Sequence, residues 1–163
     1  MTSEIALQQR LGRLESESAI RRLVHECCHG ADKRDRRRFA GVWAPDAVWQ
    51  VAPGQEFRGV EAICGALERQ WSAFLQMHHW TANLVIDLDG DVARGEVDVS
   101  VTIQFPDGTW FRGGGVYRDT YVRTALGWRI SRREAEHLFD LDPRPHLDGD
   151  AVERREASGP APD

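Results

Sequence analysis

The sequence predicts an α+β fold, in which about three N-terminal helices pack against a strongly curved antiparallel sheet that forms a cone-like barrel. Apolar residues recur at helical spacing in the first part of the chain, and from His78 onward they alternate with polar residues. Three consecutive glycines, Gly113 to Gly115, lie inside the alternating part, where glycine favours a bulge or a sharp bend over a regular strand.

The helical part begins with one long helix, or with two helices joined near residues 16–18. A short helix over residues 36–43 follows, and Pro45 ends it because proline cannot continue an α-helix. Residues 60–74 form a third amphipathic helix. The apolar positions of the first stretch are Ile5, Leu7, Leu11, Leu14, Ile20, Leu23, Val24, Cys27 and Ala31.

The second part of the chain predicts an antiparallel meander of four strands joined by short turns. The alternating pattern covers residues 78–88, 92–105, 109–124 and 128–139. Residues 47–51 form a further strand-like run, and a loop containing Pro53 and Gly54 follows it. The polar face of the strand at 92–105 indicates solvent, a subunit interface or a wet pocket wall.

Length and composition predict a single domain over residues 1–140 and a mobile tail over residues 141–163. The net charge of −5 argues against a nucleic-acid partner, because phosphate binding needs a concentrated positive surface. No apolar run approaches the roughly 20 residues needed to span a bilayer, and no signal peptide is visible. We therefore expect no membrane association and a cytoplasmic location.

The cysteines and histidines do not predict a metal centre. Cys27, Cys28 and Cys64 show no zinc-binding spacing and suggest no disulfide framework. His25 and His29 are four residues apart on the first helix, but no third ligand stands at a matching offset. We expect neither a metal nor another cofactor.

One acid and one histidine carry the chemistry that the sequence shows best. Asp32 lies on an otherwise apolar helical face, and His79 lies at the start of a strand-like run. A carboxylate can orient an imidazole as a proton acceptor, so we expect an Asp32–His79 dyad in a pocket. His78 is the alternative, since adjacent strand residues point to opposite faces, and the spacing to Asn83 favours His79. Asp32 has the alternative role of a helix cap.

Four segments, taken in order, support a resemblance to a known family. They are AIRRLVHECCHGADKRDRRRFAGVWAPDAVWQV, GVEAICGAL, HHWTANLVIDLDGD and GGVYRDTYVRTALGWRISRREAEHLFD. Over about residues 15–140 they resemble the SnoaL-like branch of the nuclear-transport-factor-2-like superfamily. Within that branch the pattern is similar to hexachlorocyclohexane dehydrochlorinase and, more distantly, to scytalone dehydratase. The resemblance implies a cone-shaped α+β barrel and a pocket Asp–His pair.

Residue by residue, the resemblance assigns the pair to Asp32 of the motif G-x-D-K-R and to His79 of H-x-x-x-N. It also implies an arginine on the last strand, which is Arg133 of W-x-x-S-x-R. The chain departs from the dehydratases shortly before Asp32, where Cys27 or Cys28 replaces a tyrosine. The resemblance therefore does not identify the substrate.

Five residues are candidate substrate contacts. Arg133 is suited to hold a developing oxyanion or a substrate carboxylate, with a surface role as the alternative. Tyr117 can donate a hydrogen bond to a carbonyl oxygen, and His137 shares a strand face with Arg133. Trp80 and Asn83 follow the candidate histidine on its strand and complete the set.

These observations predict a cofactor-independent lyase that removes water or another small group from a mostly apolar hydroxylated or carbonyl compound. An isomerase or cyclase acting on polyketide-like or steroid-like substrates is the alternative enzyme, because both reactions begin with proton abstraction. A non-catalytic ligand-binding or assembly subunit is the alternative from another class. The polar strand face predicts a homodimer or homotrimer.

Overall fold

The computed structural model describes residues 2–141 of the chain. The helices of this part are α1 (Thr2–Asp32), α2 (Arg36–Ala40) and α3 (Val60–Ala73). Its strands are β1 (Trp43–Ala52), β2 (Gln55–Arg58), β3 (Gln76–Asp89), β4 (Val92–Gln104), β5 (Trp110–Thr124) and β6 (Gly127–Asp140). No helix within residues 2–141 is long and apolar enough to cross a membrane. The tail predicted to be mobile lies outside the described residues from position 142 onward.

Helix α1 is continuous, which decides between the two alternatives that the sequence left open. The serines near its middle do not break it, because the buried Ser16 hydroxyl donates a hydrogen bond to the Gly12 carbonyl oxygen at 2.6 Å. The same hydroxyl accepts a hydrogen bond from Arg123 of β5 at 2.9 Å. The second half of the helix buries Ile20 and Val24 in the core. This packing positions the C-terminal end of α1 relative to the sheet.

Helix α2 ends at Ala40, so the prediction that it continues to residue 43 was wrong. Trp43 instead pairs with Ile130 of β6, and this pairing starts β1. Pro45 therefore lies inside a strand rather than at a helix end. A proline is tolerated there because the register between β1 and β6 is interrupted at this point, so no regular ladder hydrogen bond is lost.

The sheet has the strand order β2-β1-β6-β5-β4-β3. Strands β3 to β6 form the antiparallel meander that the sequence predicts. Two features were not predicted: β1 runs parallel to β6, and β2 replaces part of the loop expected after β1. The turn between β1 and β2 contains Gly54 with a φ of 78°, a conformation that favours glycine. The edge strands β2 and β3 do not pair, so the curved sheet remains open.

The glycine run in β5 coincides with a bulge, as predicted. The register between β5 and β6 shifts between Gly114 and Gly115. A Cβ atom on Gly114 would lie 2.4 Å from the Phe139 ring, and one on Gly115 would lie 2.0 Å from the Glu136 carbonyl oxygen. Only glycine fits such approaches, and the bulge bends the strand.

The core lies between the helices and the concave face of the sheet. Its aromatic part is formed by Phe39, whose ring centroid lies 5.6 Å from that of Trp43 and 6.0 Å from that of Trp49. Because strand residues alternate between faces, every second residue of β3, β5 and β6 faces this interior. This alternation places His79 and Arg133 on the same side of the sheet.

Candidate active site

The structure brings Asp32 and His79 into direct contact. Asp32 is the last residue of α1, and one of its carboxylate oxygens, Oδ1, lies 2.6 Å from Nδ1 of His79. The other oxygen, Oδ2, accepts a hydrogen bond from the His79 backbone N–H at 2.8 Å. The exposed fraction is 9% for the Asp32 side chain and 14% for the His79 side chain. His78 points to the opposite, exposed face, as expected for its neighbour in a strand.

The end of α1 is held in place by contacts with the other two helices. The Trp71 indole N–H of α3 donates a hydrogen bond to the Ala31 carbonyl oxygen at 2.7 Å, which satisfies one of the free carbonyls at the helix end. Gly30 packs against α2 so closely that a Cβ atom would lie 2.6 Å from the Phe39 nitrogen. Arg34 has a φ of 54°, which turns the chain out of the helix. These contacts fix the direction of the Asp32 side chain.

The two hydrogen bonds define the chemistry available to the imidazole. An ionised carboxylate only accepts hydrogen bonds, so in the neutral ring the proton lies on Nδ1 and the free lone pair on Nε2. Asp32 thus fixes both the ring orientation and the tautomer of His79. The resulting arrangement is a general base whose second nitrogen is free to take a proton.

Arg133 lies on the same concave face and is almost completely buried, with an exposed fraction of 3%. Its Nε and Nη2 atoms donate to the two carboxylate oxygens of Asp119, at 2.8 Å and 2.6 Å. Nη1 lies 3.2 Å from the Cys27 sulfur, and the guanidinium packs on the Tyr117 ring at 4.3 Å from its centroid. Although burial opposes the charge of Arg133, Asp119 raises its pKa well above the ordinary value, so the guanidinium stays charged.

The sequence analysis missed Asp119, the partner that holds Arg133. Its carboxylate also accepts a hydrogen bond from the Tyr121 hydroxyl at 2.7 Å and is fully buried. The sequence did contain a signal for Asp119. It lies two residues from Tyr117 and two from Tyr121, and because side chains alternate along a strand, all three face the inner side of β5. A carboxylate on an inward strand face needs a cation or donors, which indicates a buried partner.

The groups around Arg133 are held in their neutral forms. Burial raises the pKa of Cys27 to about 12, with Arg133 only partly opposing this effect. Burial also raises the pKa of Tyr117 above its ordinary value. The thiol is therefore a weak nucleophile at neutral pH, and Tyr117 is a hydrogen-bond donor rather than a base.

His79 and Arg133 line one cavity between the helices and the sheet. Its volume is about 30 Å³, measured as the space open to the centre of a water molecule. Trp43 and Trp49 belong to its wall, and their buried indole N–H groups have no hydrogen-bond partner among residues 2–141. The other lining residues are Cys27, Cys28, Ala31, Phe39, Leu67, Gln70, Met77 and Tyr117. Among residues 2–141, no three His, Cys, Asp or Glu side chains form a cluster that could hold a metal ion.

Trp80 and Asn83 were predicted as substrate contacts, and the structure places both outside the cavity. Trp80 follows His79 and so points to the convex face, where it is 70% exposed and packs against the His78 ring. Asn83 lies at a bulge of β3 with a φ of 55°, and its Nδ2 donates to Asp98 on the convex face at 2.8 Å. The alternation of strand residues argues against Trp80 even in the sequence alone.

His137 is on the same face of β6 as Arg133 but does not line the cavity of the dyad. Its side chain is 60% exposed, and Nε2 lies 2.8 Å from a carboxylate oxygen of Asp140. It lies instead at a second recess farther along the sheet. Tyr117 lines both spaces, as expected for a contact on the inner face of β5.

Comparison with known proteins identifies the family of this chain. Residues 12–134 match the model of the SnoaL-like domain family. The chain belongs to this family. A curated SnoaL-like relative, gamma-hexachlorocyclohexane dehydrochlorinase of Sphingobium indicum, is 30% identical over 77% of this chain and 82% of its own. The match confirms the resemblance predicted from the sequence and relates the chain to enzymes of the lyase class.

Two solved structures show the same SnoaL-like fold. Hexachlorocyclohexane dehydrochlorinase type 3 from Novosphingobium barchaimii has a TM-score of 0.77 and 24% identity, covering 85% of this chain and 98% of its own. A proposed scytalone dehydratase from Novosphingobium aromaticivorans has a TM-score of 0.71 and 22% identity, covering 90% of this chain and 94% of its own. Both confirm the predicted α+β fold with a curved sheet.

Proposed function

We propose that this protein is a cofactor-independent lyase in which His79 and Asp32 abstract a proton from a small, mostly apolar substrate. The observation that carries this proposal is the contact between His79 Nδ1 and Asp32 Oδ1 at 2.6 Å, made by a histidine that lines a buried cavity. The relative from Sphingobium indicum is named a dehydrochlorinase, and such an enzyme removes hydrogen chloride. The reaction class of the proposal is therefore elimination.

In the proposed reaction, Nε2 of His79 accepts a proton from a carbon next to a carbonyl or to the carbon that bears the leaving group. The electron pair of the broken C–H bond forms the new double bond, and the leaving group departs with the pair of its own bond. When hydroxide leaves, the proton on the imidazolium is returned to it and water is released. Asp32 stabilises the imidazolium while it exists.

Within the part of the chain that the structure describes, Arg133 has one remaining N–H on Nη1 and one on Nη2, because Asp119 and Cys27 account for the other three. We propose that a free N–H of this buried guanidinium stabilises the negative charge that develops on the leaving group or on the carbonyl oxygen. Tyr117 stacks on the guanidinium and keeps its hydroxyl proton, so it is suited to donate a second hydrogen bond.

The substrate class follows from the wall of the cavity. Phe39, Leu67 and Met77 provide an apolar surface, and the two unpartnered indole N–H groups of Trp43 and Trp49 provide donors. Such a wall favours an uncharged compound with acceptor groups, such as a hydroxylated ketone. The contact between Asp32 and His79 at the wall of this cavity supports catalysis over the alternative of a binding subunit.

We also propose that the protein forms a homodimer or homotrimer and is cytoplasmic. Trp80 and Val85 are 70% and 65% exposed on the outer side of β3, and apolar side chains exposed on a sheet favour association. Sedimentation velocity at micromolar concentration tests the assembly, and a monomer would contradict it. Cell fractionation tests the location.

The central experiment compares His79→Gln and Asp32→Asn with the matched control His78→Gln, which changes an exposed neighbour on the same strand. The substrates are 4-hydroxy-2-alkanones and gamma-hexachlorocyclohexane, with loss of water or hydrogen chloride measured by mass spectrometry. We expect both dyad variants to lose about 10²–10⁴-fold in rate and the control to stay within about twofold. Full activity in both dyad variants would refute the proposal. A product of unchanged mass would indicate the isomerase or cyclase alternative.

A further inference from the structure

A second recess adjoins the cavity of the dyad on the same face of the sheet. Its volume is about 160 Å³, compared with about 30 Å³ for the dyad cavity, both measured as the space open to the centre of a water molecule. Tyr117 lines both spaces. In the sheet, Val101 is paired with His79 and Ala135 is paired with Tyr117, so the recess continues the concave surface that carries the dyad.

The side chains that line this recess are mostly small and apolar. Val51 of β1, Val99 and Val101 of β4 and Ala135 of β6 supply its side chains, and Gly115 contributes backbone only. These side chains are small, which leaves open space along the sheet at this point.

The charged groups at the rim of the recess are paired. His137 contacts Asp140 at 2.8 Å. Glu136 contacts Arg118 at 3.0 Å, and Arg118 belongs to the outer face of β5. These contacts direct Glu136 to the outer face and His137 to Asp140, and the remaining side chains of the recess carry no charge, so the recess is suited to an uncharged apolar group.

The sizes of the two spaces limit what can bind. A cavity of about 30 Å³ by this measure has room for about two water molecules, which is enough for a reacting group but not for a whole substrate. Because the adjoining recess is about five times larger and shares Tyr117, it offers space for the rest of the molecule.

We propose that the substrate is elongated, with a small polar reacting end beside His79 and an uncharged apolar body in the recess formed by Val51, Val99, Val101 and Ala135. This inference rests on the proposed function for the identity of the reacting end. The length of the apolar body then determines affinity, and Tyr117 separates the part of the substrate that reacts from the part that binds.

The experiment measures binding without reaction, so that it is independent of catalysis. Unbranched 2-alkanones from 2-butanone to 2-nonanone have no leaving group, and their affinities are measured by titration calorimetry with the full chain. We expect affinity to rise about threefold to fourfold for each added methylene until the recess is filled. Equal affinity across the series would overturn the proposal.

A matched pair of variants locates the effect. Val99→Phe fills the recess, whereas Ser100→Phe places the same ring on the opposite face of β4. We expect Val99→Phe to weaken 2-nonanone binding by at least about tenfold and Ser100→Phe to preserve the dependence on length. Ala135→Leu serves as a second filling variant if thermal unfolding shows that Val99→Phe does not fold. The apolar body would not bind in this recess if Ser100→Phe lost the dependence of affinity on chain length. The same conclusion would follow if both filling variants kept that dependence.

The two proposals fail in different ways. If no 4-hydroxy-2-alkanone is dehydrated while affinity still rises with length, the proposed elimination is wrong and the recess is supported. If elimination occurs at equal efficiency for all lengths and affinity is flat, the recess is wrong and the dyad is supported.

Discussion

Two carboxylates of this protein face basic side chains across the same interior, and their surroundings differ. Asp32 contacts His79 at the wall of a cavity, and both side chains keep a small exposed fraction, 9% and 14%. Asp119 contacts Arg133 with exposed fractions of 0% and 3%, and Tyr121 supplies a further hydrogen bond. The first pair leaves one imidazole nitrogen free among the described residues, whereas three of the five guanidinium donors of Arg133 are used, two by Asp119 and one by Cys27.

The difference shows how one interior can separate reaction from support. A base must exchange a proton with a ligand, so it needs one unpartnered atom on a cavity and a partner that fixes the other atom. A buried ion pair must instead have its hydrogen bonds satisfied, because a lone charge in a low-dielectric interior is costly. We therefore expect Asp32 to control activity and Asp119 to control stability.

The largest expected effect comes from the same isosteric change at both acids. Asp119→Asn puts an amide N–H against the guanidinium and leaves its charge uncompensated, so it should lower the free energy of unfolding by about 3–5 kcal/mol. Asp32→Asn still accepts from the His79 backbone, so it should cost about 1 kcal/mol while the rate falls about 10²–10⁴-fold. Urea unfolding and turnover of 4-hydroxy-2-alkanones measure the two quantities. Equal losses of stability in both variants would remove the distinction.

A smaller effect, and one that depends on pH, comes from the thiol that touches Arg133. The ordinary pKa of the Cys27 thiol is 9.0, and burial raises it to about 12 in the folded protein. Between these values the unfolded chain loses the proton and the folded chain keeps it, so stability falls as pH rises, by up to about 1.4 kcal/mol per pH unit. Cys27→Ala removes this contribution.

Urea unfolding at several pH values above 9 should therefore give a shallower decline for Cys27→Ala than for the unchanged protein. Cys64→Ala is the comparison: burial also raises the pKa of this thiol, but it lies near Arg36, Glu61 and Glu68 rather than at the buried ion pair, so its removal should change the slope less. Below pH 9 the slopes of the three proteins should coincide. Parallel slopes above pH 9 would show that the Cys27 thiol titrates in the folded protein as it does in the unfolded chain.

The sequence was sufficient for those parts of the site that depend on local periodicity. Helical spacing places Asp32 on the inner face of α1, and strand alternation separates His79 from His78. The same alternation excludes Trp80, which the initial assignment of substrate contacts did not take into account. The contact between Asp32 and His79 depends on the packing of α1 on β3. The two residue types suggested this dyad and the family resemblance supported it, but local periodicity alone does not bring the two side chains together.

The parts that the sequence could not predict depend on long-range pairing. Trp43 has the pattern of a helical residue, but its pairing with Ile130 makes it the start of β1. Asp119 and Arg133 form an ion pair because β5 and β6 set them directly across from each other, and a shift of one residue would send either side chain to the other face. Such registers depend on the bulges in β5 and β6, whose positions local propensity does not specify.

The smallest expected effect belongs to an exposed ion pair, which can be compared with the buried pair of Asp119 and Arg133. Arg118 contacts Glu136 at 3.0 Å on the outer face, and both side chains are about half exposed. Water and salt screen such a pair, so Arg118→Met should change the free energy of unfolding by no more than about 0.5 kcal/mol. Urea unfolding at low and high salt measures the change, which should vanish in high salt. A loss near that of Asp119→Asn would mean that geometry rather than burial decides the strength of these ion pairs, and the division between a reacting and a supporting carboxylate would then need another physical cause.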